Sequence, residues 1–249
     1  MKKSLFLSRY LFIMLSVFAI LSTYTTSAMA GLFSVSPVRI YMEPKDRAVA
    51  VTITNDSDEE LVMQADIYTW KQGPDGEDAL MYSEDLFLSP PIIKLAGKAR
   101  QVVRLAVLSP SRSNDELTYR IIVREIPVKK PDTEDAELEI ALAFSMPIFI
   151  TPKTAKSDLV CSAQRSTSNN VTVTCENKGN AYAHPREFVL KNSTGETIAA
   201  KDSGGYLLPG TIRSFNIETN TGSLVNSIAK LTVTLDDTSE RDFEINLAD

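Results

Sequence analysis

An all-β chain folded as two sandwiches is what the sequence predicts, and three observations carry that expectation. Short segments rich in β-branched and apolar residues recur between clusters of turn-forming residues. No stretch after Ala30 keeps a helical period. The chain turns polar over residues 151–156, between two sets of such segments. Charged residues at 23% and hydrophobic ones at 43% are ordinary globular proportions, which count against a disordered chain and a polytopic membrane protein.

The first thirty residues stand apart. Lys2, Lys3 and Arg9 form a cationic start, residues 11–21 are uncharged and mostly apolar, and Ala28, Met29 and Ala30 give an Ala-x-Ala ending. This is the pattern of a secretory signal peptide, residues 1–30, cleaved after Ala30. An uncleaved anchor needs about 18 continuous apolar residues, and the polar run 22–27 interrupts the stretch. Cleavage would remove three positive charges and no negative ones, leaving 219 residues and moving the net charge from −6 to −9. An acidic surface counts against nucleic acid as a partner. The length that remains suits two domains, expected at 31–152 and 157–249.

In the first domain, strands are expected at 48–54, 60–68, 99–107, 118–126 and 137–150, separated by breakers at 55–58, 73–76, 89–91, 109–110 and 131–132. In the second they are expected at 159–165, 171–176, 187–191, 212–218, 230–235 and 241–247. Cys161 and Cys175, the only cysteines, flank the turn-rich stretch 166–170. A hairpin centred near Ser168 sets them opposite each other, and an exported chain meets an oxidising compartment, so a disulfide is expected.

Little else in the sequence speaks for chemistry. Without a CxxC pair, and with His184 as the single histidine, no metal or thiol-redox site is expected. No nucleophile elbow and no phosphate-binding glycine loop occur, so the expectation is a protein without catalytic residues, cofactor or nucleotide. The carboxylate pairs Glu59 with Glu60 and Asp236 with Asp237 fall in turns and read as solvated.

Segment 137–150 is different in kind. Leu138, Ile140, Leu142, Phe144, Met146 and Ile148 occupy every second position, which in an extended chain puts all six on one face. The stretch would span roughly 45 Å, longer than a usual strand. Pro147 points to an edge or a bulge, and a long apolar edge is a hazard that proteins normally blunt. Periodicity alone leaves two uses open: filling the domain's own interior, or being lent to a partner.

At this point the residues resemble a known family, the periplasmic PapD-like pilus chaperones of chaperone–usher systems. The likeness runs through Ser36-Pro-Val-Arg-Ile40, Thr54-Asn-Asp56, Pro90-Pro91 followed by Leu95, Gly97 and Val103-Arg-Leu105, then Arg124-Glu-Ile-Pro127 and the alternating Leu138-Glu-Ile-Ala-Leu142. The opening Ser-Pro-Val-Arg and the second-domain cysteines look more like the archaic branch, associated with spore-coat-like pili.

The resemblance implies two immunoglobulin-like domains set in an L around a cleft, and no enzyme activity. It implies a partner that is a pilus subunit lacking its last strand, completed by the donor strand 137–150 through Leu138, Ile140, Leu142, Phe144 and Met146 and then delivered to an outer-membrane usher. Recognition by strand donation is a general mode; four such side chains, fully buried, supply roughly 6 to 12 kcal/mol before ordering costs. An uncovered donor strand is also open to self-association. The alternative is a secreted two-domain adhesin or structural pilus component, but residues 31–40 lead directly into the first strand without a donor extension.

Register needs a further device, because a slip of two residues keeps the same face buried. In the family an arginine of the first strand and a lysine late in the donor strand grip the subunit's terminal carboxylate. Arg39 matches the arginine, whereas Pro147 stands at the lysine position. If 118–126 and 137–150 pair about a centre near residue 132, Arg120 lies opposite roughly residue 144, so Arg39 with Arg120 is the expected anchor, a guanidinium suiting a carboxylate. Arg104 and Arg124 are the reserves. Glu116 matches a family glutamate of an interdomain ion-pair network, but its partner position reads Thr151, so the domains are expected to be held differently.

Overall fold

The computed structural model describes residues 33–73, 76–108, 113–127, 141–167, 169–202, 204–219 and 228–247. The segment expected to be a signal peptide, and Leu138 and Ile140 of the expected donor strand, lie outside them. Every regular element among the described residues is a strand.

The first domain holds β1 (Phe33–Ser36), β2 (Ile40–Met42), β3 (Ala48–Asn55), β4 (Leu61–Gln72), β5 (Asp78–Tyr82), β6 (Leu86–Ser89), β7 (Ile92–Leu95), β8 (Arg100–Val107), β9 (Leu117–Glu125) and β10 (Ala143–Ile150). One sheet runs β1-β3-β8-β6; the other runs β2-β10-β9-β4-β5, with β7 also on β4. Alternation explains the core. Val51 and Ile53 on β3, Val103 and Leu105 on β8, Met63 and Ile67 on β4, and Ile121 and Val123 on β9 all turn inward and are buried between the sheets.

The first strand departs from expectation. Instead of one strand through 36–40, the chain pairs β1 antiparallel with β3, bends at residues 37–39, and enters the opposite sheet as β2, parallel to β10. Arg39 therefore sits on a bend between two sheets.

The second domain holds β11 (Leu159–Thr167), β12 (Asn170–Asn177), β13 (Pro185–Lys191), β14 (Thr197–Asp202), β15 (Ile212–Glu218), β16 (Ile228–Leu235) and β17 (Glu240–Asn246). Its sheets are β11-β12-β15 and β14-β13-β16-β17. Cys161 pairs with Cys175 across the β11–β12 hairpin and the two form a disulfide, as their spacing predicted.

Both sandwiches use a fully buried asparagine where a strand ends. Asn55 Nδ2 donates to the carbonyls of Glu59 (2.7 Å) and Ala96 (3.0 Å) while its Oδ1 accepts from the Ser57 N–H (3.0 Å). Asn177 Nδ2 donates to the carbonyls of Ala181 (2.8 Å) and Leu207 (3.0 Å), and its Oδ1 accepts from the Gly179 N–H (3.0 Å). A buried amide with its bonds met pins each turn to a neighbouring loop.

Candidate functional site: the β10 edge and the interdomain cleft

β10 has partners on both sides at its last three residues and, among the described residues, is an edge before them. On one side it pairs with β9 throughout; on the other, β2 reaches only residues 148–150. The Glu125 N–H donates to the Leu142 carbonyl (2.9 Å), and the Thr151 N–H donates to the Met42 carbonyl of β2 (2.9 Å). In an antiparallel ladder this parity directs the backbone groups of even residues to β9 and those of odd residues the other way. Ala143 and Ser145 thus direct N–H and C=O groups to an edge that β2 does not cover. Pro147, buried and without an N–H, stands just before β2 pairing begins.

The side chains divide at the same place. Met146, Ile148 and Ile150 enter the first domain's own core. Met146, expected to be donated, is 3% exposed and already spent there. Phe144 is 40% exposed and rests on Phe33, ring centroids 4.7 Å apart, while Leu142 packs partly against the core.

The register corrects the arginine geometry. Arg120 lies opposite Pro147, not residue 144, and Phe144 lies opposite Val123. Directly opposed residues share a face, so Arg120 projects beside the position that lacks the family lysine. Its guanidinium lies 4.0 Å over the Trp70 ring, Nη2 is 3.3 Å from Asp78, Nη1 donates to Ser145 Oγ (3.2 Å), and Nε is buried without a hydrogen-bond partner among the described residues.

Arg39 reaches into the second domain: Nη1 is 2.7 Å from Asp236 Oδ2. Arg124 stands farther along β9, opposite Ala143, and holds Asp66 (2.6 Å) and the Tyr68 hydroxyl (3.0 Å). Arg104 is no reserve at all. It lies on β8 in the other sheet, exposed between the buried Val103 and Leu105, and so faces away from β10.

Between the domains runs an aromatic seam that the sequence did not reveal. Trp70, Phe149 and Leu208 are buried together, with Tyr182 and Tyr206 against them. Tyr182 stacks on Phe149 (4.1 Å) and Tyr206 meets Trp70 edge-on (5.3 Å). Gln72 ties the strands to the second domain, its Nε2 donating to the Tyr206 carbonyl (3.1 Å) and its Oε1 accepting from the Leu208 N–H (2.9 Å).

His184 and Asp236 belong to this seam too. His184 stacks on Tyr206 (4.2 Å), and Asp236, expected in solvent, is the focus of a polar cluster. The Tyr182 hydroxyl lies 3.2 Å from Asp236 Oδ2 and 2.9 Å from the Tyr41 hydroxyl; His184 Nδ1 lies 3.5 Å from the same Oδ2, an electrostatic contact without hydrogen-bond alignment. Burial alone would push the Asp236 carboxyl up, but His184, Arg39 and Tyr182 outweigh it and hold the group below its ordinary value. Burial pushes the Tyr182 phenol up, and Asp236 adds to that. Burial likewise raises Tyr206, against the opposing pull of Arg39 and Arg120, both of which act on it.

At the hinge, Glu116 is held by hydrogen bonds. Thr151 Oγ1 donates to Glu116 Oε2 (2.6 Å), and the Tyr182 N–H donates to Oε1 (2.9 Å). Burial raises the Glu116 carboxyl, and these two bonds pull it partly back.

Comparison with known proteins follows this geometry. A family model described as pili and flagellar-assembly chaperone, PapD N-terminal domain, matches residues 32–156. Among solved structures, the chain is similar to that of the CsuC–CsuE chaperone–tip adhesion subunit pre-assembly complex of archaic Csu pili from Acinetobacter baumannii. The TM-score is 0.62 at 20% identity, covering 88% of this chain and 100% of that one. It is also similar to the Pseudomonas aeruginosa CupB2 chaperone (TM-score 0.55, 15% identity, 86% and 100% covered). A third likeness is to the Salmonella enterica SafA pilin in complex with the SafB chaperone (0.54, 14%, 86% and 96%). At such identities these structures speak for the two-domain fold. No curated protein matches the sequence.

Proposed function

The chain belongs to the family of pili and flagellar-assembly chaperones that carry the PapD N-terminal domain, and on that premise we propose that it captures pilus subunits in the periplasm by strand donation. The observation that carries this reading is the half-open edge of β10: Ala143 and Ser145 offer backbone groups, with Phe144 and Leu142 on the face beside them. A subunit strand added there gains a hydrogen-bond ladder, and its groove takes apolar side chains that the chaperone's own sandwich leaves partly uncovered.

Export would follow from the N-terminal segment with its Lys2, Lys3 and Arg9. Delivery would be to an outer-membrane usher, where a strand from the next subunit replaces β10 without nucleotide hydrolysis. Arg39 and Arg120 would receive the subunit's terminal carboxylate. Arg120 is the stronger case, since a buried cationic Nε without an acceptor is a cost that a ligand can remove.

Co-expression with the genes flanking its own, followed by size exclusion and mass spectrometry, is expected to give a one-to-one complex with a pilin-like protein. The double substitution Arg39→Ala with Arg120→Ala should abolish recovery of that complex while the free chaperone keeps a cooperative thermal transition. Recovery unchanged by the double substitution would reject the anchor, and no complex with any neighbouring product would reject the chaperone reading of the edge.

A further inference from the structure

The anchor arginines are occupied before any subunit arrives. Arg39 holds Asp236 at 2.7 Å and Arg120 holds Asp78 at 3.3 Å. The two contacts differ in origin: Asp78 and Arg120 share a sheet, whereas Asp236 comes from the second domain, at the end of β16. We propose that Asp236 is a surrogate ligand, a carboxylate of the chaperone itself that keeps Arg39 paired until a subunit's terminal carboxylate takes its place. This rests on the strand-donation reading and names the group that the incoming carboxylate displaces.

Asp236 is built to be left behind. Its N–H donates to the His184 carbonyl (3.0 Å), and the turn after it is closed by bonds from Leu235 to Ser239 (2.8 Å) and from Thr238 to Leu235 (3.0 Å). The Tyr182 hydroxyl also contacts Oδ2, and the His184 ring lies beside it. When Arg39 departs, the carboxylate therefore keeps polar neighbours, so the penalty of a stranded charge is limited.

Arg39, for its part, meets Asp236 through one nitrogen, Nη1 to Oδ2, with Tyr41 and the Tyr206 ring beside its guanidinium. A free terminal carboxylate can present both oxygens to the guanidinium fork, the stronger geometry. Exchanging one carboxylate for another cancels most of the desolvation cost on the arginine. The exchange thus sets register and selects for a carboxylate, while apolar burial along β10 supplies affinity. A segment placed there without a carboxylate would part Arg39 from Asp236 and give nothing back, which is how a site rejects a wrong ligand.

The test uses the full-length chaperone and the subunit that co-purifies with it. Asp236→Asn keeps the shape and removes the competitor, so the subunit should bind about fivefold more tightly, the worth of one partly exposed ion pair. In an Arg39→Ala background the same substitution should change binding less than twofold, because nothing remains to compete for. Emission of Trp70, the only tryptophan in the chain, checks that the seam is intact. Weaker or unchanged binding by an intact Asp236→Asn variant overturns the proposal and leaves strand donation standing; a wild-type chaperone that binds no subunit overturns both.

The wild-type complex gives a second reading that needs no variant to fold. A crystal structure should show Arg39 and Asp236 separated beyond hydrogen-bond reach, with the subunit carboxylate on Arg39. An Arg39–Asp236 contact retained in that complex overturns the proposal.

Discussion

Two halves of one strand carry opposite duties. From Met146 onward, β10 is paired with β9, then flanked by β2 as well, and its even side chains are sealed in the first domain's core. Before Met146 the same alternation continues, but no described strand pairs with the second side and Phe144 is 40% exposed. Period and composition barely change along the strand; what changes, among the described residues, is whether β2 pairs with it. On the proposed strand-donation reading, a lent strand needs one end nailed down, and the buried half of β10 would fix the register with which the other half is offered.

The comparison breaks most visibly in the buried half. Ile148 is fully buried, so Ile148→Ala should destabilise the first domain by about 2 to 5 kcal/mol, transfer and cavity terms together. A urea titration would show the midpoint falling sharply, and subunit capture would fall with the folded population. A midpoint unchanged within error would mean that β10 is not anchored as described.

In the offered half, affinity itself should fall. Phe144→Ala loses the ring contact with Phe33, worth about 0.5 to 1.5 kcal/mol beyond the area the side chain already covers. Capture should drop about three- to sevenfold, because burying the 40% of Phe144 that is still exposed is worth roughly 0.6 to 1.2 kcal/mol. Calorimetric titration of the co-purifying subunit against wild type and variant separates the two effects. Stability lost without affinity lost would put Phe144 in the chaperone's own service.

How much of this was legible beforehand depended on distance along the chain. The odd-even ladder and the Cys161–Cys175 hairpin are local signals, and both hairpin partners lie within a short stretch. The β9–β10 register was missed by three residues because the centre of a hairpin with a long connection was placed about one and a half residues early, and pairing doubles that error. β5, β6, β7 and β14, each six residues or fewer, sit among breakers and carry too little alternation to register. The cleft was the least visible part. Arg39 meets Asp236, and Gln72 meets Leu208, across more than 130 residues of chain. Nothing about an aspartate in a turn announces that an arginine from the other domain will close on it.

The smallest expected effect lies where the buried half of β10 ends, at Thr151, whose hydroxyl bonds Glu116. Burial raises the Glu116 carboxyl above its ordinary value, so its contribution to stability is fully present below the unfolded-state value and is lost as pH rises through the higher folded one. Asp236 has the opposite sign: its folded value is lowered, so its contribution is present above the unfolded value and lost as pH falls through the folded one. Glu116→Gln keeps an acceptor for the Tyr182 N–H and can donate to the Thr151 hydroxyl, so both bonds persist. Its stability at neutral pH should equal or exceed wild type by less than about 1 kcal/mol. Urea midpoints measured from pH 4 to 7 should then rise more with pH in the variant than in wild type, the component from Glu116 having gone while that from Asp236 remains. Parallel pH profiles for the two proteins would show that Glu116 is not perturbed by its burial at the hinge, and that the nailed end of β10 is held without it.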